Sequence, residues 1–167
     1  IQATNGIVDI TAEKTEINGS YVFDDPTSDN YGNNSGGNIT AVTGGQVIFH
    51  DTGSRDANGK STQSLVIRNG SLWAHRSSNT EDANLVKVEA GSVSMENSTF
   101  LANPNGSIQL GSDSNPLTSF ALDRQQPSVG NSNGAIVARG GSIEINAENT
   151  SISTTNIDYA ILATSVD

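Results

Sequence analysis

A short phrase of polar and apolar positions keeps returning along the chain: glycine, any residue, apolar, any residue, apolar, then a polar turn. It occurs at Gly6–Ile10, Gly19–Phe23, Gly45–Phe49, Gly70–Ala74, Gly91–Met95, Gly106–Leu110 and Gly141–Ile145. In four copies the alternation extends upstream, as Leu65-x-Ile67, Val86-x-Val88, Ile136-x-Ala138 and, more weakly, Thr40-x-Val42. Period-two alternation predicts short strands, because successive side chains of an extended chain point to opposite faces. Leu72 with Ala74, Val93 with Met95, and Ile143 with Ile145 then share buried faces, while Trp73, Ser94 and Glu144 face outward. The residue before the glycine is Asn5, Asn18, Gly44, Asn69, Ala90, Asn105 or Gly140, and such pairs suit the positive φ of tight corners. Each unit reads as two strands hinged at a corner.

Two short strands cannot close a core, so the units are expected to stack. The hinge glycines are 13, 26, 25, 21, 15 and 35 residues apart. Even turns would suit a meander; this irregularity suits a solenoid with loop excursions at its corners. The predicted fold is all-β, a right-handed parallel β-helix forming a single domain over residues 1–167. Seven hinges imply about seven coils, and at about 4.8 Å per coil a rod about 30 to 35 Å long. An antiparallel sandwich is the competing architecture, and a left-handed hexapeptide helix lacks its strict short period here.

Composition supports strands. Ile and Val number 25 against 8 Leu, and β-branched residues favour extended chain. Asn, Ser, Thr and Gly total 73, but the apolar positions among them are patterned, which points to a thin-walled fold rather than disorder. The net charge of −10, with three Lys and five Arg scattered singly, argues against nucleic acid and anionic membrane as partners. Cysteine is absent, so neither disulfides nor thiolate metal sites contribute. No apolar run has membrane-spanning length and no stretch reads as a signal peptide. The start at Ile1 and the strand-like Ala160–Thr164 suggest a fragment of a longer chain.

The phrases Leu65-Val-Ile-Arg-Asn-Gly-Ser-Leu72, Val86-Lys-Val-Glu-Ala-Gly-Ser-Val93 and Ile136-Val-Ala-Arg-Gly-Gly-Ser-Ile-Glu-Ile145, with Asn-rich turns and no Cys, resemble passenger domains of bacterial autotransporters (type V secretion). The resemblance covers most of residues 38–167 and lies in the repeat grammar. It implies a secreted or surface-exposed segment whose parent chain carries an export signal and an outer-membrane β-barrel. It also implies roles in adhesion, self-association or the display of an inserted activity. More distantly, the chain resembles phage tailspikes and pectin-degrading β-helices.

Candidate chemistry lies in the interruptions. Asp24, Asp25 and Asp29, among Asn30, Asn33 and Asn34, group oxygen ligands that would suit Ca²⁺, although the spacing matches no calcium-loop motif. The pairs Asp24-Asp25 and Glu81-Asp82 invite a polysaccharide-hydrolase reading, which needs a further carboxylate from another coil because strand neighbours point apart. His50 and His75 each follow an apolar pair and would stack on equivalent edges. Trp73, at an outward position beside His75 and Arg76, has the chemistry of an interface anchor. The longest interruption, residues 113–133, is expected to protrude as a binding loop bearing Phe120, Arg124, Gln125 and Gln126. The expected function is non-catalytic: adhesion to a host-surface protein or glycan, or self-association, through outward ladders of Asn, Thr and Ser. The alternatives are a released effector that engages a host receptor through the 113–133 loop, and the polysaccharide-degrading enzyme.

Overall fold

A computed structural model describes residues 1–4, 6–21, 34–35, 38–42, 45–75, 84–103, 105–124, 134–155 and 159–164. Among them are eighteen strands and no helix. The first three are β1 (Gln2–Thr4), β2 (Ile7–Ile10) and β3 (Lys14–Asn18). A small antiparallel pair follows, β4 (Ser20–Tyr21) with β5 (Asn34–Ser35). Next come β6 (Asn38–Val42), β7 (Gln46–Phe49) and β8 (Ser64–Arg68), then β9 (Ser71–His75), β10 (Leu85–Val88) and β11 (Ser92–Glu96). The remainder are β12 (Thr99–Asn103), β13 (Ser107–Leu110), β14 (Ser119–Arg124), β15 (Gly134–Arg139), β16 (Ile143–Ile145), β17 (Thr150–Thr154) and β18 (Tyr159–Thr164).

Apart from β4 and β5, the strands form three sheets, each parallel throughout. The first runs β1-β6-β9-β12-β15-β18, the second β2-β7-β10-β13-β16 and the third β3-β8-β11-β14-β17. The chain therefore visits first, second and third sheet in fixed rotation, completing five rounds and beginning a sixth with β18. The expected all-β class and parallel stacking are present, and the antiparallel sandwich is not.

Like residues stack in rows. Val8, Val47, Val86, Ile108 and Ile143 form one row of the second sheet, and Ile10, Phe49, Val88, Leu110 and Ile145 another. In the third sheet, Ile17, Ile67, Met95, Leu122 and Ile152 align, as do Thr15, Leu65, Val93, Phe120 and Thr150. The first sheet carries Ile39, Leu72, Phe100, Ile136 and Ile161, and beside them six alanines in register: Ala3, Ala41, Ala74, Ala102, Ala138 and Ala163. Buried members from all three sheets meet in one hydrophobic cluster. Burying these rows is the main favourable term, since each fully buried aliphatic or aromatic side chain contributes about 1.5 to 3 kcal/mol.

The hinge glycines occupy different corners. Gly6, Gly45, Gly106 and Gly141 lie between first- and second-sheet strands, Gly91 lies between second and third, and Gly19 and Gly70 follow third-sheet strands. A round thus holds three strands rather than two. Gly6 and Gly19 serve one round, and Gly70 and Gly91 another, so seven hinges make five rounds. The six strands of the first sheet then span about 25 Å, shorter than the rod expected from counting hinges.

Corner chemistry is divided between two neighbours. Asn69, Asn97 and Asn105 take the left-handed conformation, with φ of 50°, 46° and 48°. The glycine that follows Asn105 solves a different problem. A Cβ on Gly106 would stand 2.5 Å from the carbonyl carbon and 2.6 Å from the Cβ of Ala102.

Residues 113–133 do not form one uninterrupted loop. Within them Ser119–Arg124 is β14, whose Phe120 and Leu122 fill two rows of the third sheet. The alternation Phe120-x-Leu122 was legible, but no glycine precedes it and the unit escaped the hinge pattern. Residues 125–133 lie outside the described residues.

Candidate interaction surface

The outward side of the first sheet carries Trp73. The indole is 40 % exposed, whereas Leu72 and Ala74 on either side of it are fully buried, as the alternation predicts. Its register row continues through Leu101, Val137 and Leu162 on successive strands. Val137 is fully buried although it alternates with the inward Ile136 and Ala138, and Leu101 and Leu162 are half-buried. Trp73 is therefore the exposed terminus of an outward apolar row on a parallel sheet, paired on both sides by neighbouring strands. An aromatic ring held in this way loses little conformational entropy on contact with a partner.

The other predicted binding residues separate from it. Phe120 is fully buried in the third sheet and packs in the core cluster. Arg124 is also buried, its Nη1 donating to the Ser98 carbonyl oxygen at 3.1 Å and to Thr99 Oγ1 at 2.7 Å. Both act inside the fold rather than as a free surface, because they belong to β14 and not to a loop. Ser98 is equally internal: its Oγ donates to the Glu96 carbonyl oxygen at 2.7 Å and lies 3.1 Å from that of Ile67. Arg124 and Ser98 together brace the passage from third to first sheet. His75 ends β9 with its backbone paired to Val42 and Asn103. Arg76, Gln125, Gln126, Asp24, Asp25, Asp29, Glu81 and Asp82 lie outside the described residues.

The two histidines do not share an edge. His75 is in the first sheet, and His50 follows β7 of the second. His50 instead bridges carboxylates from neighbouring rounds, with Nε2 3.2 Å from Asp9 and Nδ1 3.5 Å from Glu89. Among the described residues no group of His, Cys, Asp and Glu is arranged to hold a metal ion. With its two nitrogens facing different carboxylates, His50 links three successive rounds along the surface.

Of the ladders of Asn, Thr and Ser expected on the outward side, one stretch is present, Ser64, Ser92 and Ser119 in register on the third sheet, while other outward rows are mixed. One exposed row of the third sheet reads Asn18, Arg68, Glu96, Asp123, Ser153. In the second sheet the outward row reads Asp9, Ile48, Lys87, Gln109, Glu144. Asparagines such as Asn69, Asn97 and Asn105 serve the corners instead.

A charged clasp lies along the corner between second and third sheets. The excursion between β7 and β8 folds back on itself, with Arg55 bridged to Ser61 and the Asp56 carboxylate accepting from the amides of Asn58 and Lys60. It reaches four other rounds: Ser54 donates to Glu13, Gln63 accepts from the Gly91 amide at 2.8 Å, Asn115 donates to Asp51 at 3.3 Å, and Lys60 pairs with Glu148. The turn sequence Asp56-Ala-Asn-Gly59 was a visible hairpin signal, but nothing local reported which rounds it would touch.

Three carboxylates here, Asp51, Asp56 and Glu13, titrate below their ordinary range. Arg55 beside Asp51, aided by the Gly53 amide, holds the Asp51 carboxyl low. The hydroxyls of Ser54 and Thr52 lower Glu13. Groups depressed in the folded state contribute stability above their unfolded pKa and lose it as pH falls through the folded value. Hydrogen exchange at residues 54–62, corrected for intrinsic rate, is therefore expected to be slow near about pH 6 and to accelerate below about pH 4. Unchanged protection at about pH 3 would contradict the clasp.

No family model, no curated protein and no solved structure matches the chain.

Proposed function

We propose that the three sheets close into a right-handed parallel β-helix, and that this helix is a non-catalytic passenger segment of a secreted or surface-exposed bacterial autotransporter. The rotation through three parallel sheets supports the closed solenoid, and crossovers between parallel strands are right-handed in nearly all proteins. The repeat grammar quoted above supports the secretion route. In this reading the segment acts in adhesion to a host-surface protein or glycan, or in self-association.

One observation carries the adhesive role: Trp73 stands exposed at the end of an outward apolar row of the first sheet. The receptor-effector alternative placed binding in the 113–133 loop. Its Phe120 and Arg124 are buried, so no observation favours it. Nor does any favour the hydrolase, whose proposed carboxylates lie outside the described residues.

The test is binding of the purified chain to host-cell monolayers. Trp73→Ala is expected to weaken saturable binding roughly thirtyfold or more, as loss of a central aromatic anchor does. Its stability should change by about 1 kcal/mol or less, since the ring is partly exposed. Equal binding by both proteins would reject Trp73 as the anchor.

A further inference from the structure

The sequence contains six Asn-Gly pairs, beginning at Asn5, Asn18, Asn58, Asn69, Asn105 and Asn133. Such pairs are chemically labile, because glycine has no side chain to shield its amide nitrogen from the side-chain carbonyl carbon of the Asn before it. Where both residues are described, the fold holds the pairs in two different ways. Gly19, Gly70 and Gly106 are tied across rounds: their amides donate to the Arg68 carbonyl oxygen at 2.8 Å, to Ser98 Oγ at 3.3 Å and to the Arg139 carbonyl oxygen at 3.1 Å. Freeing any of these nitrogens opens a corner between paired strands.

The pair Asn58-Gly59 stands apart. It sits at the tip of the excursion between β7 and β8, where Asp56, Ala57, Asn58 and Gly59 are all exposed. Nothing lies within 4 Å of a Cβ built on Gly59, so the backbone there is bare, whereas the same atom on Gly106 would meet Ala102. The bonds that hold the tip are local. Asp56 N donates to the Lys60 oxygen at 2.8 Å and Gly59 N to the Asp56 oxygen at 3.0 Å. The Asn58 and Lys60 amides donate to Asp56 Oδ1 at 2.8 and 2.9 Å. All of these close within residues 56–60, so the tip can open without unpairing a strand, and local openings cost far less than those that break a packed unit.

We infer that Asn58 is a site of spontaneous modification, converting through a cyclic imide to aspartate and isoaspartate, and that this conversion unfastens the clasp. The Gly59 nitrogen gives up its proton and bonds to Asn58 Cγ; the Cγ–Nδ2 bond breaks and ammonia leaves carrying a proton in exchange. Water then opens the imide at either carbonyl, so the net change is one amide and one water to one carboxylate and one ammonium. Opening at the main-chain carbonyl leaves isoaspartate, which adds a methylene to the backbone of the tip. The bonds joining Asp56 to Gly59 and to Lys60 then lose their register. Either product also sets a new carboxylate beside that of Asp56, which the Lys60 and Asn58 amides already hold in its charged form, and like charges so close repel. Lys60 pairs with Glu148 on a distant round, and that tie is loosened with the tip.

Peptide mapping by mass spectrometry tests this, on the folded chain aged in warm, mildly alkaline buffer beside a urea-unfolded sample. In the unfolded chain the Asn-Gly pairs are expected to convert at similar rates. In the folded chain Asn58 should convert at least about tenfold faster than Asn18, Asn69 or Asn105, since its nitrogen is freed by local opening alone. Hydrogen exchange reads the consequence. Converted molecules should lose protection at the Lys60 and Thr62 amides, which donate to Asp56 Oδ1 and to the Ser54 oxygen, while Val93 and Leu122 in the strands keep theirs. Asn58→Gln, whose longer side chain closes a ring far more slowly, should age without either change. Equal rates at Asn58 and the corner pairs would overturn the assignment, as would an Asn58 that persists in the folded chain while the unfolded chain converts. Conversion that leaves Lys60 and Thr62 as protected as before would overturn the unfastening of the clasp.

Discussion

Phe120→Ala is expected to lower the unfolding free energy by about 3 to 5 kcal/mol, a large part of the stability of a domain this size. The ring is fully buried and aligned with Val93 on one side and Thr150 on the other. Backbone bonds to adjacent rounds, including Phe120 N to the Asn149 oxygen at 2.8 Å, fix the spacing of the strands around it. The surroundings can therefore collapse little into the cavity, and the lost contacts are not recovered. Phe120→Leu should cost about 1.5 kcal/mol or less, because it keeps most of the volume. Urea denaturation followed by far-UV circular dichroism measures both. A Phe120 displayed on a binding loop would instead give an alanine variant of unchanged stability, which makes this substitution a direct choice between the two placements.

Gly91→Ala is expected to cost about 2 to 3 kcal/mol. A Cβ at Gly91 would overlap the Ser61 carbonyl oxygen, and would stand 2.7 Å from the Ser61 carbonyl carbon and 3.0 Å from the Gln63 oxygen. All three are backbone atoms of the clasp and cannot swing aside as a side chain can. The same backbone is tied to this corner by the Gly91 and Ser92 amides, which donate to the Gln63 oxygen at 2.8 and 3.0 Å. Gly6 occupies the same place in the repeated phrase, yet nothing lies within 4 Å of a Cβ built on it, nor is its φ positive. Gly6→Ala is therefore expected to be neutral or to stabilise by up to about 1 kcal/mol, through the unfolded chain alone. Thermal melts of the two variants should move in opposite directions or differ by several degrees, and equal shifts would refute the distinction between corners.

This contrast shows where the sequence was informative. Alternation around Leu72, Val93 and Ile143 revealed the strands and their inward faces, because period two depends only on local geometry. Glycine marked corners for the same reason. What the phrase did not encode was which corner: Gly91 and Gly6 look alike locally and differ by the packing of a loop that is close only in space. Strands without a hinge, such as β14 and the polar β17, were hidden, and the count of rounds was inflated where two hinges fell in one round. Trp73 was legible as outward because its neighbours Leu72 and Ala74 set the parity. Arg124 was misplaced because a charged residue after a polar interruption suggests solvent, while its partners are Thr99, which opens β12 of the first sheet, and Ser98 in the corner before it.

The central claim is the rotation of the chain through three parallel sheets, and engineered cysteine pairs test it most directly, since the natural sequence has none. Three pairs join outward register partners, one in each sheet: Trp73→Cys with Leu101→Cys, Lys87→Cys with Gln109→Cys, and Ser94→Cys with Ala121→Cys. Adjacent strands lie about 4.8 Å apart, within the range a disulfide spans. The rotation predicts that all three pairs cross-link within one chain under mild oxidation, while Ser94→Cys with Ser119→Cys, shifted by two residues, does not. Failure of the matched pairs, or cross-linking of the shifted pair in their place, would contradict it.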